Sequence, residues 1–274
     1  MEKKLDQELS AIRYSAKEVL EDLLLLDLTD STACMVGFPE NTVDGWALVD
    51  TGPQAAADFI LAQAQERFGA GRGPQAIILT HGHVAHAGAA AKLADAWNVP
   101  VYMHALEMPY VTALVDYPRP DRRAVEGLEE KMELYPEKGI NLSFHSIPLP
   151  LDRSVPGMRG WQWIHSPRHT IGHISLFRPQ DGTLIVGDAF TEKQEALFGA
   201  LTMHPDAGEQ FEYATADWRA SMRTFKRLYD LNPSLAVLSH GKPLDGEELK
   251  KQLDLLLNHY NGLAKSEQQI FMEE

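Results

Sequence analysis

Residues 80–88, Thr-His-Gly-His-Val-Ala-His-Ala-Gly, are the most informative segment of the sequence. Three histidines, His81, His83 and His86, follow directly on the apolar run 76–79, which has the pattern of a buried strand. A turn at this point can aim His81 and His83 at one position and His86 at a neighbouring one. Neutral imidazole is the commonest metal-ligating side chain for zinc and related ions. The stretch lies inside the chain, unlike a terminal tag, so it predicts a metal site.

Four further polar elements also come at the ends of predicted strands, next to small residues or glycine. They are Asp50 in the run 50–52, His169 in the run 166–173, Asp188 after the run 184–186, and His240 after the run 235–238. Each of these residues alone also fits an ordinary turn or loop. Because α/β sheets place reactive groups at strand ends, the ordered set favours one site at one edge of the sheet.

This ordered set resembles the metallo-beta-lactamase superfamily, whose signature is T-H-x-H-x-D-H, then a distant His, an Asp after a strand, and a final His-Gly. The resemblance covers about residues 23–245 and implies an α/β fold, the four-layer αββα sandwich, with a metal site at the edge between two sheets. It also implies two zinc ions, with iron or manganese as alternatives. The resemblance implies a first metal on His81, His83 and His169 and a second metal on His86 and His240, with Asp188 bridging both. Asp50 and His173 are expected to support the ligands from behind without binding metal.

The chain departs from this signature at two positions. Ala85 stands where the family has an Asp that binds the second metal, and a methyl group cannot coordinate. Two origins stay open for Ala85: a deliberate inactivating substitution, favoured because the other ligands are retained, or a natural loss that leaves a one-metal enzyme or a binding protein. Arg168 stands where the family usually has Gly, which suggests a local specialisation near the pocket.

The ligand set predicts a metal-dependent hydrolase of a small-molecule ester, thioester or lactone, similar to the glyoxalase II-like and lactonase-like branches. A metal-bound water has its pKa lowered to about 7, so a hydroxide is available to attack a carbonyl carbon. With Ala85 at the position of the missing acid, this chain is expected to be inactive or impaired. The alternatives are a non-catalytic metal- or ligand-binding protein and a mononuclear iron dioxygenase.

Composition narrows the class of protein. The 274 residues are 44% hydrophobic and are expected to form a single domain over 1–274. With 39 acidic and 25 basic residues, the net charge of -14 disfavours a nucleic-acid partner. The single cysteine, Cys34, excludes an intrachain disulfide and fits a reducing compartment. No apolar run predicts a membrane span or a secretory signal, so the expected location is the cytoplasm.

The remaining pattern predicts alternating strands and helices. Predicted strands cover 23–26, 33–38, 46–49, 76–79, 99–104, 161–165, 174–177, 183–186 and 235–238, and predicted helices cover 1–20, 55–68, 88–97, 215–231 and 246–263. Residues 105–150 are interpreted as a partly helical cap insertion. The apolar segment 190–214 is expected to line an acyl pocket, to pack as an ordinary loop and helix, or to form a homodimer contact.

Overall fold

The protein is described by a computed structural model over residues 14–29, 31–40, 43–116, 140–167, 169–190 and 218–272. Within these residues the chain forms two β-sheets with helices on their outer faces. None of the helices in this part of the chain combines the length and the apolar character that crossing a membrane requires.

The first sheet has seven strands in the order of the chain. Its strands are β1 (Ser15–Leu20), β2 (Leu23–Asp27), β3 (Thr32–Val36), β4 (Ala47–Val49), β5 (Ala76–Ile78), β6 (Val101–Met103) and β7 (Ser146–Pro148). Strands β1 to β4 pair antiparallel, and β4 to β7 pair parallel. Where the structure describes them, the parallel connections carry a 3-10 turn, Gln54–Ala56, and four helices: α1 (Ala57–Phe68), α2 (Val84–Ala87), α3 (Ala90–Trp97) and α4 (Met108–Val111).

The second sheet has five strands in the spatial order β12, β11, β10, β9, β8. Its strands are β8 (Gln162–His165), β9 (Ile174–Arg178), β10 (Thr183–Gly187), β11 (Leu235–Leu238) and β12 (Leu244–Asp245). Strands β10 and β11 pair parallel, and the other neighbours pair antiparallel. Helix α5 (Trp218–Tyr229) lies between β10 and β11, and helix α6 (Gly246–Met272) follows β12.

The described helices and sheets stack in four layers, and an apolar cluster fills each of the three interfaces between them. This is the predicted αββα sandwich. In β2, Leu24 and Leu26 belong to the cluster that joins the first sheet to α1 and α3. Leu23 and Leu25 belong to the cluster between the two sheets. A third cluster joins the second sheet to α5 and α6. Because successive side chains of a strand point to opposite faces, a strand with both faces covered is a continuous apolar run, which is why β2 could be predicted.

One buried ion pair links the sheets at the end of β9 that lies away from His173. The Arg178 guanidinium bonds to Asp22, in the turn between β1 and β2, and to Asp181, at 2.7 Å. It also lies 4.9 Å from the ring centroid of Trp161. Arg178 is buried, so this cluster fixes the first sheet against the second without taking part in the strand ends that carry the histidines.

The predicted helix over residues 1–20 is wrong where the structure describes it, because Ser15–Leu20 is strand β1. Its residues are mostly exposed, and among the described strands it lies at the edge of the sheet, paired with β2. Charged side chains suit an edge strand, since they discourage pairing with other chains. Charged residues of alternating sign over 1–20 indicated a helix, but in Ser15–Leu20 they belong to an exposed edge strand.

Other element boundaries shift less. The helix predicted over 88–97 is α3, which begins at Ala90, and a separate short helix, α2, precedes it. The last helix continues to Met272 rather than ending at 263. Within the predicted cap, β7 belongs to the first sheet, and residues 117–139 lie outside the described residues. Most of the apolar segment 190–214 also lies outside them.

Candidate metal centre

The predicted ligands all lie at one edge of the sandwich because each follows a strand end. The segment 80–86 follows β5, and His169 lies in the loop between β8 and β9. Asp188 follows β10 directly, and His240 follows β11. The two sheets therefore supply donors from both sides of one cleft, as α/β folds commonly do for ligands.

Asp188 lies at the centre of the histidines. Its Oδ1 atom lies 3.3 Å from His86 Nε2 and 3.6 Å from His240 Nε2. Its Oδ2 atom lies 3.3 Å from His169 Nε2 and 3.9 Å from His81 Nε2. Both carboxylate oxygens thus face imidazole nitrogens, which is the placement a bridging ligand needs.

The donor atoms form two overlapping groups, each within 4.8 Å, among the described residues. The first group is His81, His83 and His169, and the second is His81, His86 and Asp188. Across the first group, His83 Nδ1 lies 2.8 Å from His169 Nε2.

Three buried atoms of these groups test whether a metal fits. His81 Nε2, His86 Nε2 and Asp188 Oδ1 have no hydrogen-bond partner within the part of the chain that the structure describes. Buried polar atoms are rarely left in this state, and a role as metal ligands explains it. Imidazole nitrogen with carboxylate oxygen suits zinc or iron, so the residues present fit a transition metal.

Asp50 and Thr80 orient two of the imidazoles. The Asp50 carboxylate accepts hydrogen bonds from Thr80 N at 2.8 Å, Thr80 Oγ1 at 2.8 Å and His86 Nδ1 at 2.9 Å. Because the Thr80 hydroxyl donates to Asp50, it accepts from His81 Nδ1, 3.1 Å away. In their neutral forms both rings then carry the proton on Nδ1 and leave Nε2 available to a metal, as second-sphere bonds do in metal sites.

His173 holds the backbone of Asp188 from behind. His173 Nε2 accepts a hydrogen bond from Asp188 N at 2.8 Å, while its Nδ1 faces Ser166 Oγ at 2.9 Å. His173 is fully buried, and burial lowers its pKa to about 3, so the ring is neutral. Gly187 permits this contact, since it has φ +61° and a Cβ there would lie 2.5 Å from His173 Nε2.

The histidines of the two groups differ in their affinity for protons in the metal-free chain. Burial, together with the neighbouring His169, lowers the pKa of His83 to about 3, so His83 is a neutral donor at neutral pH. Burial alone would also lower the pKa of His86, but Asp188 and Asp50 raise it to about 10. The same pairing holds the pKa of Asp188 well below its usual range, although burial opposes this. A metal bound by His86 must therefore displace a proton.

Ala85 and His240, both predicted to belong to the second metal position, supply no atom to the two groups of metal-ligating atoms. Ala85 offers only its backbone, and its carbonyl accepts a hydrogen bond from Ser31 Oγ. The His240 side chain is 42% exposed, its Nε2 lies 3.6 Å from Asp188 Oδ1, and it belongs to neither donor group found among the described residues. Arg168 lies outside the described residues. The second position thus has fewer enclosed donors than the first.

Glu107 was not predicted from the sequence, although it contacts both ligand loops. Its buried carboxylate accepts hydrogen bonds from Gly82 N at 3.0 Å and Gly172 N at 2.8 Å. Thr80 and Ser166 lie within the segments 80–88 and 166–173, but their hydrogen bonds to His81 and His173 were not predicted. No local signal marks Glu107, because its partners come from other segments of the chain.

Five further histidines belong to no sequence motif and are expected to have structural or surface roles: His104, His145, His165, His204 and His259. Those that the structure describes lie outside the donor groups. His104 and His165 stack on each other with ring centroids 4.3 Å apart. His145 Nε2 pairs with Asp95 at 3.0 Å. These contacts agree with structural or surface roles, while His204 lies outside the described residues.

A model of the metallo-beta-lactamase superfamily matches residues 32–240. The chain is 39% identical over 222 residues to the probable metallo-hydrolase YflN of Bacillus subtilis (strain 168), covering 80% of this chain and 83% of YflN. TTHA1623, solved in a di-iron-bound form, is 25% identical with a TM-score of 0.53, over 85% of this chain and 94% of that one. The metallo-beta-lactamase family protein TTHA1429 from Thermus thermophilus shares the fold at 20% identity, with a TM-score of 0.59 over 91% of this chain and 82% of that one. With the superfamily model spanning the site and a relative this similar over most of its length, the chain belongs to the metallo-beta-lactamase superfamily.

Proposed function

We propose that this protein is a metal-dependent hydrolase of a small-molecule ester, thioester or lactone. The observation that carries the proposal is the convergence of three buried donor atoms without hydrogen-bond partners in the described chain, on His81, His86 and Asp188. The name probable metallo-hydrolase carried by YflN supports hydrolase activity in general. It does not specify a substrate, so the substrate class is our own proposal.

The first metal would be held by His81, His83 and His169, with Asp188 shared with a second metal on His86 and His240. Zinc is proposed first, and the di-iron form of TTHA1623 supports iron as the alternative. When bound, the metal lowers the pKa of a water ligand to about 7 and polarises the carbonyl that is attacked.

The residues around the donors prepare the site for this chemistry before any substrate arrives. Asp50 fixes the tautomer of His86, and through Thr80 it fixes that of His81. His173 fixes the backbone at Asp188. Donors held in this way need little reorganisation on metal binding, which raises affinity and fixes the orientation of the reacting groups.

Carbonyl hydrolysis of a small molecule fits the rest of the chain better than other activities of metallo-beta-lactamase folds. The ligand set contains no thiol, because Cys34 is buried between the sheets rather than at the donor groups. The net charge of -14 disfavours a polyanionic substrate such as nucleic acid. These observations support a small substrate with a carbonyl group and leave its acyl part unassigned.

A second candidate function is that of a one-metal protein, either a binding protein without turnover or a mononuclear iron dioxygenase. It is favoured by the second position, where Ala85 supplies no side-chain donor and the His240 side chain is 42% exposed. On this view the first position keeps its full set of ligands. We therefore expect the first position to bind metal more tightly than the second.

The deciding experiment compares the parent chain with Ala85→Asp, each loaded separately with zinc, manganese and iron. Lactones, thioesters and aryl esters are screened, and the metal content per chain is measured by elemental analysis. Ala85→Asp is expected to raise kcat/KM by at least about 10²-fold, within the range of positioned acid-base groups, and to raise the metal content toward two. The control is Ala70→Asp, the same change at an exposed alanine in the loop before β5.

The outcomes separate the candidate functions. Equal activity of the parent chain and Ala85→Asp on a responsive substrate would exclude position 85 from the catalytic centre. One iron per chain with oxygen consumption would identify a dioxygenase. Metal binding without turnover in both proteins would favour the binding protein, and failure of both to bind metal would reject the site.

A further inference from the structure

Glu107 is a buried carboxylate that the proposed ligand set does not use. It lies between β6 and α4, and its side chain is fully buried. Its Oε2 atom accepts a hydrogen bond from Gly82 N at 3.0 Å, and its Oε1 atom accepts one from Gly172 N at 2.8 Å. Each oxygen thus binds the backbone of a different loop.

Both loops carry proposed metal ligands. Gly82 lies between His81 and His83, and Gly172 lies three residues after His169. The two loops come from different sheets, one after β5 and the other between β8 and β9. Glu107 is therefore a bridge between the sheet that supplies His83 and the sheet that supplies His169.

The contact with the second loop is closely fitted. A Cβ built on Gly172 would lie 2.8 Å from Glu107 Cγ, Oε1 and backbone N, so only glycine lets the carboxylate approach. A buried carboxylate is costly unless hydrogen bonds satisfy it, and bonds from backbone N–H groups to a charged acceptor are among the strong ones. Because backbone donors cannot rotate away as side chains do, these bonds fix the separation of the loops.

That separation matters for the first donor group. His83 Nδ1 and His169 Nε2 approach to 2.8 Å across the same two loops. If the loops moved apart, these two nitrogens could not reach one ion together with His81, since metal–nitrogen bonds are only about 2.0–2.1 Å long. The distance between the loops is thus a property on which metal affinity depends.

We propose that Glu107 is a positioning residue of the metal centre, whose carboxylate bridges Gly82 and Gly172 and so sets the affinity and geometry of the His81, His83 and His169 position. The proposal rests on the proposed metal-dependent function. It assigns Glu107 no contact with metal or substrate.

The test uses the full chain with two independent variants. Glu107→Gln keeps one acceptor oxygen but turns an amide N–H₂ toward the second backbone donor. Gly172→Ala keeps the carboxylate but pushes it away from the loop. The zinc Kd is measured by competition with a chromogenic chelator, and the cobalt-substituted protein gives a visible spectrum that reports ligand geometry. Each variant is expected to weaken zinc binding by about 10–100-fold and to change the cobalt spectrum.

Two controls separate positioning from general destabilisation. Glu66→Gln makes the same chemical change at an exposed position. Leu253→Ala opens a cavity in the third core cluster, between the second sheet and its helices. Both controls are expected to keep the zinc Kd and the cobalt spectrum of the parent chain, although Leu253→Ala unfolds more easily.

The proposal is overturned if folded Glu107→Gln keeps the parent zinc Kd and cobalt spectrum, or if Leu253→Ala weakens zinc binding as much as Glu107→Gln. If Glu107→Gln does not fold, Gly172→Ala decides on the same criteria. A parent chain that binds neither zinc nor cobalt would overturn the proposed function as well. If the parent binds zinc and the variants bind it equally well, only the proposed role of Glu107 is overturned.

Discussion

Replacing Asp50 by Asn tests whether one buried carboxylate orients the candidate metal centre. Asp50 is 2% exposed and has φ +57°, a left-handed conformation that Asn adopts as readily as Asp. The substitution therefore leaves the backbone and the side-chain volume nearly unchanged. What it removes is one of two acceptor oxygens.

The magnitude follows from the three hydrogen bonds that Asp50 accepts. The amide oxygen can replace the oxygen that binds Thr80 N, which leaves the amide N–H₂ opposite Thr80 Oγ1 and His86 Nδ1. The hydroxyl can rotate to accept, but the ring N–H cannot. One bond to a charged group is lost, so the free energy of unfolding is expected to fall by about 1.5–3 kcal/mol. Because His86 is also free to move its proton to Nε2, zinc affinity at His86 is expected to fall by about 10–100-fold.

The assay is urea denaturation in the presence of a chelator, followed by zinc titration of the folded protein. The control is Asp58→Asn, which removes an exposed carboxylate paired with Lys92 at 2.7 Å. Such surface pairs contribute about 0–1 kcal/mol. If Asp50→Asn unfolded at the same urea concentration as the parent and bound zinc equally well, the reasoning about ring orientation would be refuted. A loss of stability with unchanged zinc binding would restrict Asp50 to supporting the fold.

Three further predictions test other parts of the structure. Asp188→Ala is expected to remove bound metal more completely than His240→Ala, as measured by elemental analysis, because Asp188 faces both donor groups; retention of two metals by Asp188→Ala would contradict a bridging role. Arg178→Met is expected to lower the free energy of unfolding at neutral pH by about 1–3 kcal/mol. Hydrogen bonds from Arg178 lower the pKa of Asp181 although burial opposes this, so the difference should shrink as the pH falls through the carboxyl range, and a constant difference would argue against the ion pair. Burial raises the pKa of the Cys34 thiol, so iodoacetamide is expected to modify it only in denaturant, and rapid labelling of the native protein would contradict its burial.

Strand β1, at the edge of the first sheet, shows why a local sequence pattern can predict the wrong secondary structure. The segment containing Ser15–Leu20 has alternating charges, and this pattern indicated a helix. It is a strand because β2 offers an unpaired edge, and five residue pairs align along it. Backbone pairing of this kind depends on a neighbour rather than on the segment's own side chains. By contrast, β2 and β3 are buried on nearly every residue and could be read directly from their apolar runs.

The superfamily resemblance and the strand ends that carry the ligands could be predicted from the residues alone, since His81, His83 and His86 are local to one turn after one strand. The connections between these ligands and their supporting residues depend on the folded chain. Asp50 reaches His86 from 36 residues away, and Glu107 reaches Gly82 and Gly172 from 25 and 65 residues away. A hydrogen bond requires contact within about 3.5 Å, and no periodicity along a chain encodes which distant backbone groups come that close. His81, His83 and His86 follow from sequence because their spacing is short, and His169, Asp188 and His240 follow from their places after predicted strands. The residues that hold these ligands in place follow from the packing of the two sheets against each other.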